Sequence, residues 1–144
     1  MLRTVLCLAL ATLAAAADEA WTVAWKAASD AAAKAKQPIL ANFTGSDWCE
    51  WCVKLKEEVF RTPEFAAWAK GRVVLLEVDI PRESKLSEAQ LEANQALVEK
   101  YSIEGFPTIL ILSAEGKELG RLGYKQGGPQ VWTAAAQAII DAAR

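Results

Sequence analysis

Cys49 and Cys52 stand three residues apart where an apolar run gives way to a helical pattern, and that junction constrains the fold more than any other feature. Before it, Ile39-Leu40-Ala41-Asn42-Phe43 lies between Pro38 and the cluster Thr44-Gly45-Ser46-Asp47, the pattern of a buried strand ending in a loop. After it, Cys52, Leu55, Val59 and Phe60 share one face of a helix whose N-terminus is at Cys49. Residues i and i+3 of a helix lie about 5–6 Å apart, which matches the Cα separation of a disulfide. The pair can therefore close and open with little backbone movement. The unpaired N–H groups and positive dipole end of the helix sit under Cys49 and favour its thiolate. Cys52, one turn in, lacks that advantage and is expected to be the more buried of the two. The spacing assigns attack to Cys49 and resolution of the mixed disulfide to Cys52.

Two plainer explanations compete with a reactive pair. Half of a zinc site looks the same, but zinc takes four ligands, and the chain has no histidine and no second cysteine pair. A structural bridge is the stronger rival, although closing so short a loop removes little entropy from the unfolded chain. Trp48 and Trp51 flank the pair. They are either packing residues or an apolar collar that docks a partner's chain.

The rest of the chain reads as alternating helices and strands. An alanine-rich stretch from Trp21 to Lys36, with Trp21, Trp25, Ala28 and Ala32 at helical spacing, predicts a first helix stopped by Gln37-Pro38. Thr62-Pro63-Glu64 opens a short helix that Lys70-Gly71 closes. Val73 to Ile80 is rich in β-branched residues and predicts an interior strand. Ser84 to Tyr101 predicts a long helix with Ala93, Leu97 and Tyr101 stacked along it. Thr108–Ser113 and Glu118–Tyr124 are strands about a turn at residues 114–117, and Gly127-Gly128-Pro129 opens a closing helix. The order implies one α/β domain with helices on both faces of a sheet.

Residues 1–17 have the pattern of a secretory signal peptide: Arg3, then an apolar run from Val5 to Leu13, then Ala14 to Ala17. The run is shorter than the ~20 residues that span a bilayer. Cleavage would leave a domain over 18–144. Losing Arg3 with the leader takes the 16 basic residues to 15 against 18 acidic ones, a net charge of −3. That surface has no reason to seek nucleic acid or anionic lipid. Cys7 lies inside the apolar run and would leave with it, so the mature chain keeps only Cys49 and Cys52, in a compartment where disulfides persist.

The run Phe43-Thr44-Gly45-Ser46-Asp47-Trp48-Cys49-Glu50-Trp51-Cys52, with Gly105-Phe106-Pro107-Thr108 downstream, resembles the thioredoxin superfamily. It is similar to the secreted bacterial branch and to the C-terminal domain of the membrane thiol-disulfide interchange reductase, from Trp21 to the end of the chain. The resemblance implies a central mixed β-sheet with helices on both faces and a cis peptide bond before Pro107, facing the cysteines. It also implies that Phe106 presents its backbone to a substrate that adds as a strand. A Phe-Pro bond is one of the few places where a cis peptide costs little. Two departures stand out. Asn42 occupies the place of the family's buried aspartate, and Leu75 that of its partner lysine, so the usual proton route to the resolving thiol is lost. Water, Asp47 or Glu50 is then expected to serve Cys52.

The leading expectation is an enzyme that exchanges a dithiol or disulfide with protein substrates outside the cytoplasm, working with a membrane or soluble redox partner. No cofactor or metal is required by the motif, and the chain is expected to be a monomer. The competing expectation is a peptide-binding module of the same fold without redox turnover. Direction of electron flow is set by redox potential and electron supply, neither of which the residues encode legibly.

Overall fold

The computed structural model describes residues 20–144. The expected leader over 1–17 lies outside the described residues. Five strands form one sheet in the order β1 (Trp21–Thr22), β3 (Val74–Asp79), β2 (Ile39–Thr44), β4 (Thr108–Leu112), β5 (Glu118–Leu122). The first three are mutually parallel, β4 runs antiparallel to β2, and β5 runs antiparallel to β4. Helices α1 (Trp25–Ala35), α2 (Glu50–Leu55), α3 (Pro63–Ala69), α4 (Glu88–Lys100) and α5 (Gly128–Ala142) cover the sheet, and a π-helical turn over Lys56–Phe60 extends α2.

Strand β2 is buried along its whole length, as a central strand covered on both faces must be. Its alternate side chains feed two separate apolar layers. Leu40 joins Leu55, Val59, Phe65, Leu75, Ile109 and Trp132 on the side of α2, α3 and α5. Ile39, Ala41 and Phe43 join Ala28, Ala32, Leu76, Val78 and Leu110 on the side of α1 and α4.

This layering corrects the expected first helix. Trp21 and Trp25 are spaced like neighbours on one helical face, yet Trp21 packs into the first layer and Trp25 into the second. The chain therefore crosses the sheet edge between them. Trp21 and Thr22 pair in parallel with Leu75 and Leu76, and the Trp21 ring meets Phe60 at 5.2 Å, so helix begins only at Trp25.

Three further elements differ from expectation. Helix α4 starts at Glu88, capped by the Ser87 hydroxyl, because the backbone of residues 82–84 is held elsewhere, as described below. Its buried residue is Asn94, which receives a hydrogen bond from Gln90 and donates one to the Asp79 carbonyl, while Ala93 faces solvent. The helix after Cys49 widens to π geometry after Leu55, with the Arg61 N–H reaching the Lys56 carbonyl, and this turn buries Val59 and Phe60 together. Strand β5 ends at Leu122, which leaves Tyr124 free of the ladder.

Candidate active site

Strand β2 carries the chain to Thr44, and the next four residues fold back sharply enough for the Cys49 N–H to reach the Gly45 carbonyl at 2.9 Å. Only glycine fits that corner. A Cβ on Gly45 would collide with the Trp48 indole, which folds directly over it. Ser46 fixes the loop from the other side, its N–H and hydroxyl both donating to the Asp79 carboxylate at the end of β3.

Cys49 is the N-cap of α2, in extended conformation, and its Sγ accepts the Cys52 N–H at 3.2 Å. The sulfur thus occupies the position where a helix start satisfies its free amides, the place where negative charge on sulfur is stabilised. Cys49 and Cys52 are joined as a disulfide with Cα atoms 5.2 Å apart. They are almost equally covered, at 7% and 5% exposed, so the expected difference in burial is absent. The cap geometry, rather than burial, separates the two sulfurs.

The two tryptophans are unlike each other. Trp48 is half-buried; its Nε1 donates to the Ile80 carbonyl at 2.8 Å, and its ring lies edge-on to Phe106 at 5.6 Å. It is in large part a packing residue. Trp51 is 53% exposed and leans on Tyr124 at 5.0 Å, with the Lys54 ammonium 5.0 Å from the indole and 5.4 Å from the phenol ring. The Tyr124 hydroxyl donates to Glu58, and that bond raises the phenol above its ordinary pKa. Tyr124, Lys54 and Glu58 gave no sequence signal, because β5 had to end before Tyr124 could turn toward α2. On the opposite flank the Phe106–Pro107 peptide bond is cis, and the Phe106 ring contact with Trp48 ties that segment to the cysteine loop.

Asp47 does not have the proton-accepting place expected of it. Its carboxylate receives the N–H groups of Arg82, Glu83 and Ser84 at 2.9, 2.7 and 2.6 Å. These bonds, led by that of Arg82, draw its pKa down to about 2, which makes it a poor base at neutral pH. Asp47 is instead the clamp of the 82–84 loop, and the Arg82 guanidinium it brings in lies 4.0 Å from the Trp48 ring. A folded-state pKa below the usual 3.8 stabilises the protein above about pH 4, and that contribution is lost as pH falls toward 2. Asp47→Ala is therefore expected to lack this acid-dependent component in thermal unfolding and to speed amide exchange at 82–84 at pH 7. Unchanged exchange there would show that the clamp is not the main restraint.

The pairing of Asn42 also differs from expectation. Leu75 lies across from Leu40; the residue level with Asn42 on β3 is Glu77, and on β4 it is Ile109. Asn42 is 7% exposed, and its Oδ1 has no hydrogen-bond partner among the described residues.

A family model described as a thioredoxin-like domain matches residues 25–137. The disulfide bond reductase DsbH of Chlamydia pneumoniae is 34% identical over 119 residues, which cover 81% of this chain and 72% of that protein. The thioredoxin-related protein DsbJ of the same organism is 33% identical over 123 residues, or 82% of this chain and 35% of its own length. The thiol:disulfide interchange protein DsbD of Klebsiella pneumoniae is 37% identical over 89 residues, 61% of this chain but 13% of DsbD. The chain thus spans about a third of DsbJ and a small part of DsbD. A solved DsbH oxidoreductase structure superposes with a TM-score of 0.76 at 33% identity, covering 79% of each chain. The oxidised C-terminal domain of Neisseria meningitidis DsbD gives 0.59 at 18% identity over 78% of this chain and 89% of its own, a likeness of fold alone. With its cysteine pair at the head of α2 and a mixed sheet behind it, the chain belongs to the thioredoxin-like family of disulfide oxidoreductases.

Proposed function

We propose that this protein is exported and exchanges its Cys49–Cys52 dithiol or disulfide with protein substrates, Cys49 being the sulfur that meets the partner. The observation that carries the assignment is the Cys52 N–H directed at Cys49 Sγ, which favours charge on that sulfur alone. From the reduced state, the Cys49 thiolate attacks a substrate disulfide, and one substrate sulfur leaves as thiolate and takes a proton. Cys52 then loses its proton and attacks Cys49 Sγ. The mixed bond breaks, the second substrate sulfur leaves, and two electrons have passed from the pair to the substrate. The same steps reversed oxidise a substrate dithiol.

Trp48, Phe106 and Pro107 form one wall of the proposed substrate groove, and Trp51 with Tyr124 the other. An extended segment docked along Phe106 would place its sulfur over Cys49. The monomer suffices, since the groove is built from one chain.

Export is supported by the leader pattern of residues 1–17 and by a mature chain whose only cysteines are the pair. Among the described residues, no helix is long and apolar enough to cross a membrane. Expressed in full in a Gram-negative bacterium, the protein is expected in the periplasmic fraction at the mass of residues 18–144. Equilibration with graded glutathione mixtures, read by alkylation and mass, should convert it reversibly between dithiol and disulfide; a pair that stays oxidised in every reducing mixture would mark it as a structural bridge.

A further inference from the structure

The substitution of Asn42 removes one carboxylate from behind the cysteine helix, and the register of the sheet brings another to the same place. Asn42 and Glu77 are direct partners across β2 and β3, so their side chains leave the sheet on the same face. That face is the one covered by α2, since Leu40 and Leu75, two residues back on each strand, pack against Leu55 and Val59. Between sheet and helix lies a cavity of about 200 Å³ lined by Trp21, Val23, Asn42, Lys56, Phe60 and Glu77. It has room for water, and Asn42, Lys56 and Glu77 supply the polar groups that would hold it.

The helix that carries the resolving thiol also supplies one wall of this cavity, through Lys56. Lys56 follows Cys52 by one turn, its N–H bonded to the Cys52 carbonyl, a rise of about 6 Å. Side chains on a helix tilt toward its N-terminus, so Lys56 covers the surface between the cavity and Cys52. Asn42 lines the cavity from the sheet, and its buried Oδ1 has no hydrogen-bond partner among the described residues. Among the described residues, Lys56 is the other charged group lining the space; Trp21, Val23 and Phe60 are apolar, and Asn42 is neutral.

We propose that Glu77 is the proton acceptor for Cys52, reached through water in this cavity, and that it replaces a carboxylate at position 42 by one on the neighbouring strand. The proposal rests on the redox reading above. In the resolving step the Cys52 S–H proton passes by the water to the Glu77 carboxylate. The new thiolate attacks Cys49 Sγ, the Cys49–substrate bond breaks, and the departing substrate thiolate takes a proton from solvent. Glu77 then returns its proton to solvent, leaving charge and atoms balanced.

Glu77→Gln keeps the shape of the side chain and removes only the acceptor. Single-turnover kinetics with a model disulfide separate attack by Cys49 from resolution by Cys52. The variant is expected to attack at the natural rate and to resolve on the order of a hundredfold more slowly at pH 7, the low end of what a positioned proton acceptor contributes. In a Cys49→Ala background, the Cys52 thiol of Glu77→Gln should ionise at lower pH than with Glu77 present, because a neighbouring negative charge has been removed. More thiolate with slower resolution is the signature of a lost relay. Charge repulsion alone would make resolution faster. Adding Asn42→Asp to Glu77→Gln returns a carboxylate to the same cavity and should recover most of the rate. Resolution by Glu77→Gln as fast as, or faster than, the natural protein overturns the proposal, as does a Cys52 titration that ignores Glu77. The redox reading is tested separately by whether Cys52→Ser forms a mixed disulfide at all, a step in which Glu77 has no part.

Discussion

Cys52→Ser is expected to stop the reaction at the mixed disulfide, leaving a substrate protein bound covalently to Cys49. The serine hydroxyl cannot attack a disulfide sulfur at neutral pH, whereas the Cys49 sulfur still receives the helix amide that favours its thiolate. Turnover should fall by on the order of 10³-fold, about 4 kcal/mol in barrier terms. Non-reducing electrophoresis of the variant incubated with oxidised substrate should show a higher-mass band that reductant removes. Cys49→Ser should lose turnover to the same extent with no such band, since the remaining thiol lies inside the helix rather than at its cap. A band from Cys49→Ser and none from Cys52→Ser would reverse the two roles.

Trp132→Ala is expected to give the largest loss of stability of any single substitution outside the cysteine pair. Trp132 is fully buried in α5, its ring centroid 5.2 Å from Phe60 and 6.1 Å from Phe65, and its Nε1 donates to the Gly123 carbonyl at 3.0 Å. Truncation leaves a cavity and an unpaired carbonyl, a cost of about 3–5 kcal/mol. Against a total of about 5–15 kcal/mol for a domain of this kind, that is a large fraction. The midpoint of urea unfolding should fall steeply with little change in slope. Phe60 closes the π turn that continues α2, so the same variant should also loosen the helix that presents the cysteines. A loss under about 1 kcal/mol would mean that the α5 side of the core can collapse around the gap.

How much of this was readable in advance depends on where each determinant lies. The cysteine helix, the strand before it, the α3 cap at Thr62 and the paired strands β4 and β5 all rest on signals within a few residues, and the structure has them; the cis Phe106–Pro107 bond, also present, was implied by the family resemblance rather than by any local pattern. The errors occur where distant segments decide. Trp21 and Trp25 satisfy a helical period, but the opposite layers that bury them are made by distant residues, including Trp132, 111 positions from Trp21, and Leu110, 85 positions from Trp25. The partner of Asn42 is set by the register in which Ile39 meets Val74, which no local pattern specifies, so the sequence points to Leu75 where the sheet places Glu77. Asp47 seemed available as a base because the three amides that occupy it come from residues 82–84. Trp51 and Tyr124 meet across 73 positions of sequence, and only the end of β5 at Leu122 makes that contact possible.

The central claim is that the Cys49–Cys52 pair turns over on protein disulfides rather than bracing the loop or merely accompanying a peptide groove. Insulin reduction by dithiothreitol, followed as the turbidity of the released B chain, measures this directly. The natural protein at micromolar concentration should shorten the lag and raise the rate in proportion to its concentration, and Cys49→Ser should do neither. A natural protein that leaves the dithiothreitol rate unchanged, while its pair is shown by alkylation to be reduced, would contradict the account and leave a peptide-binding module in its place.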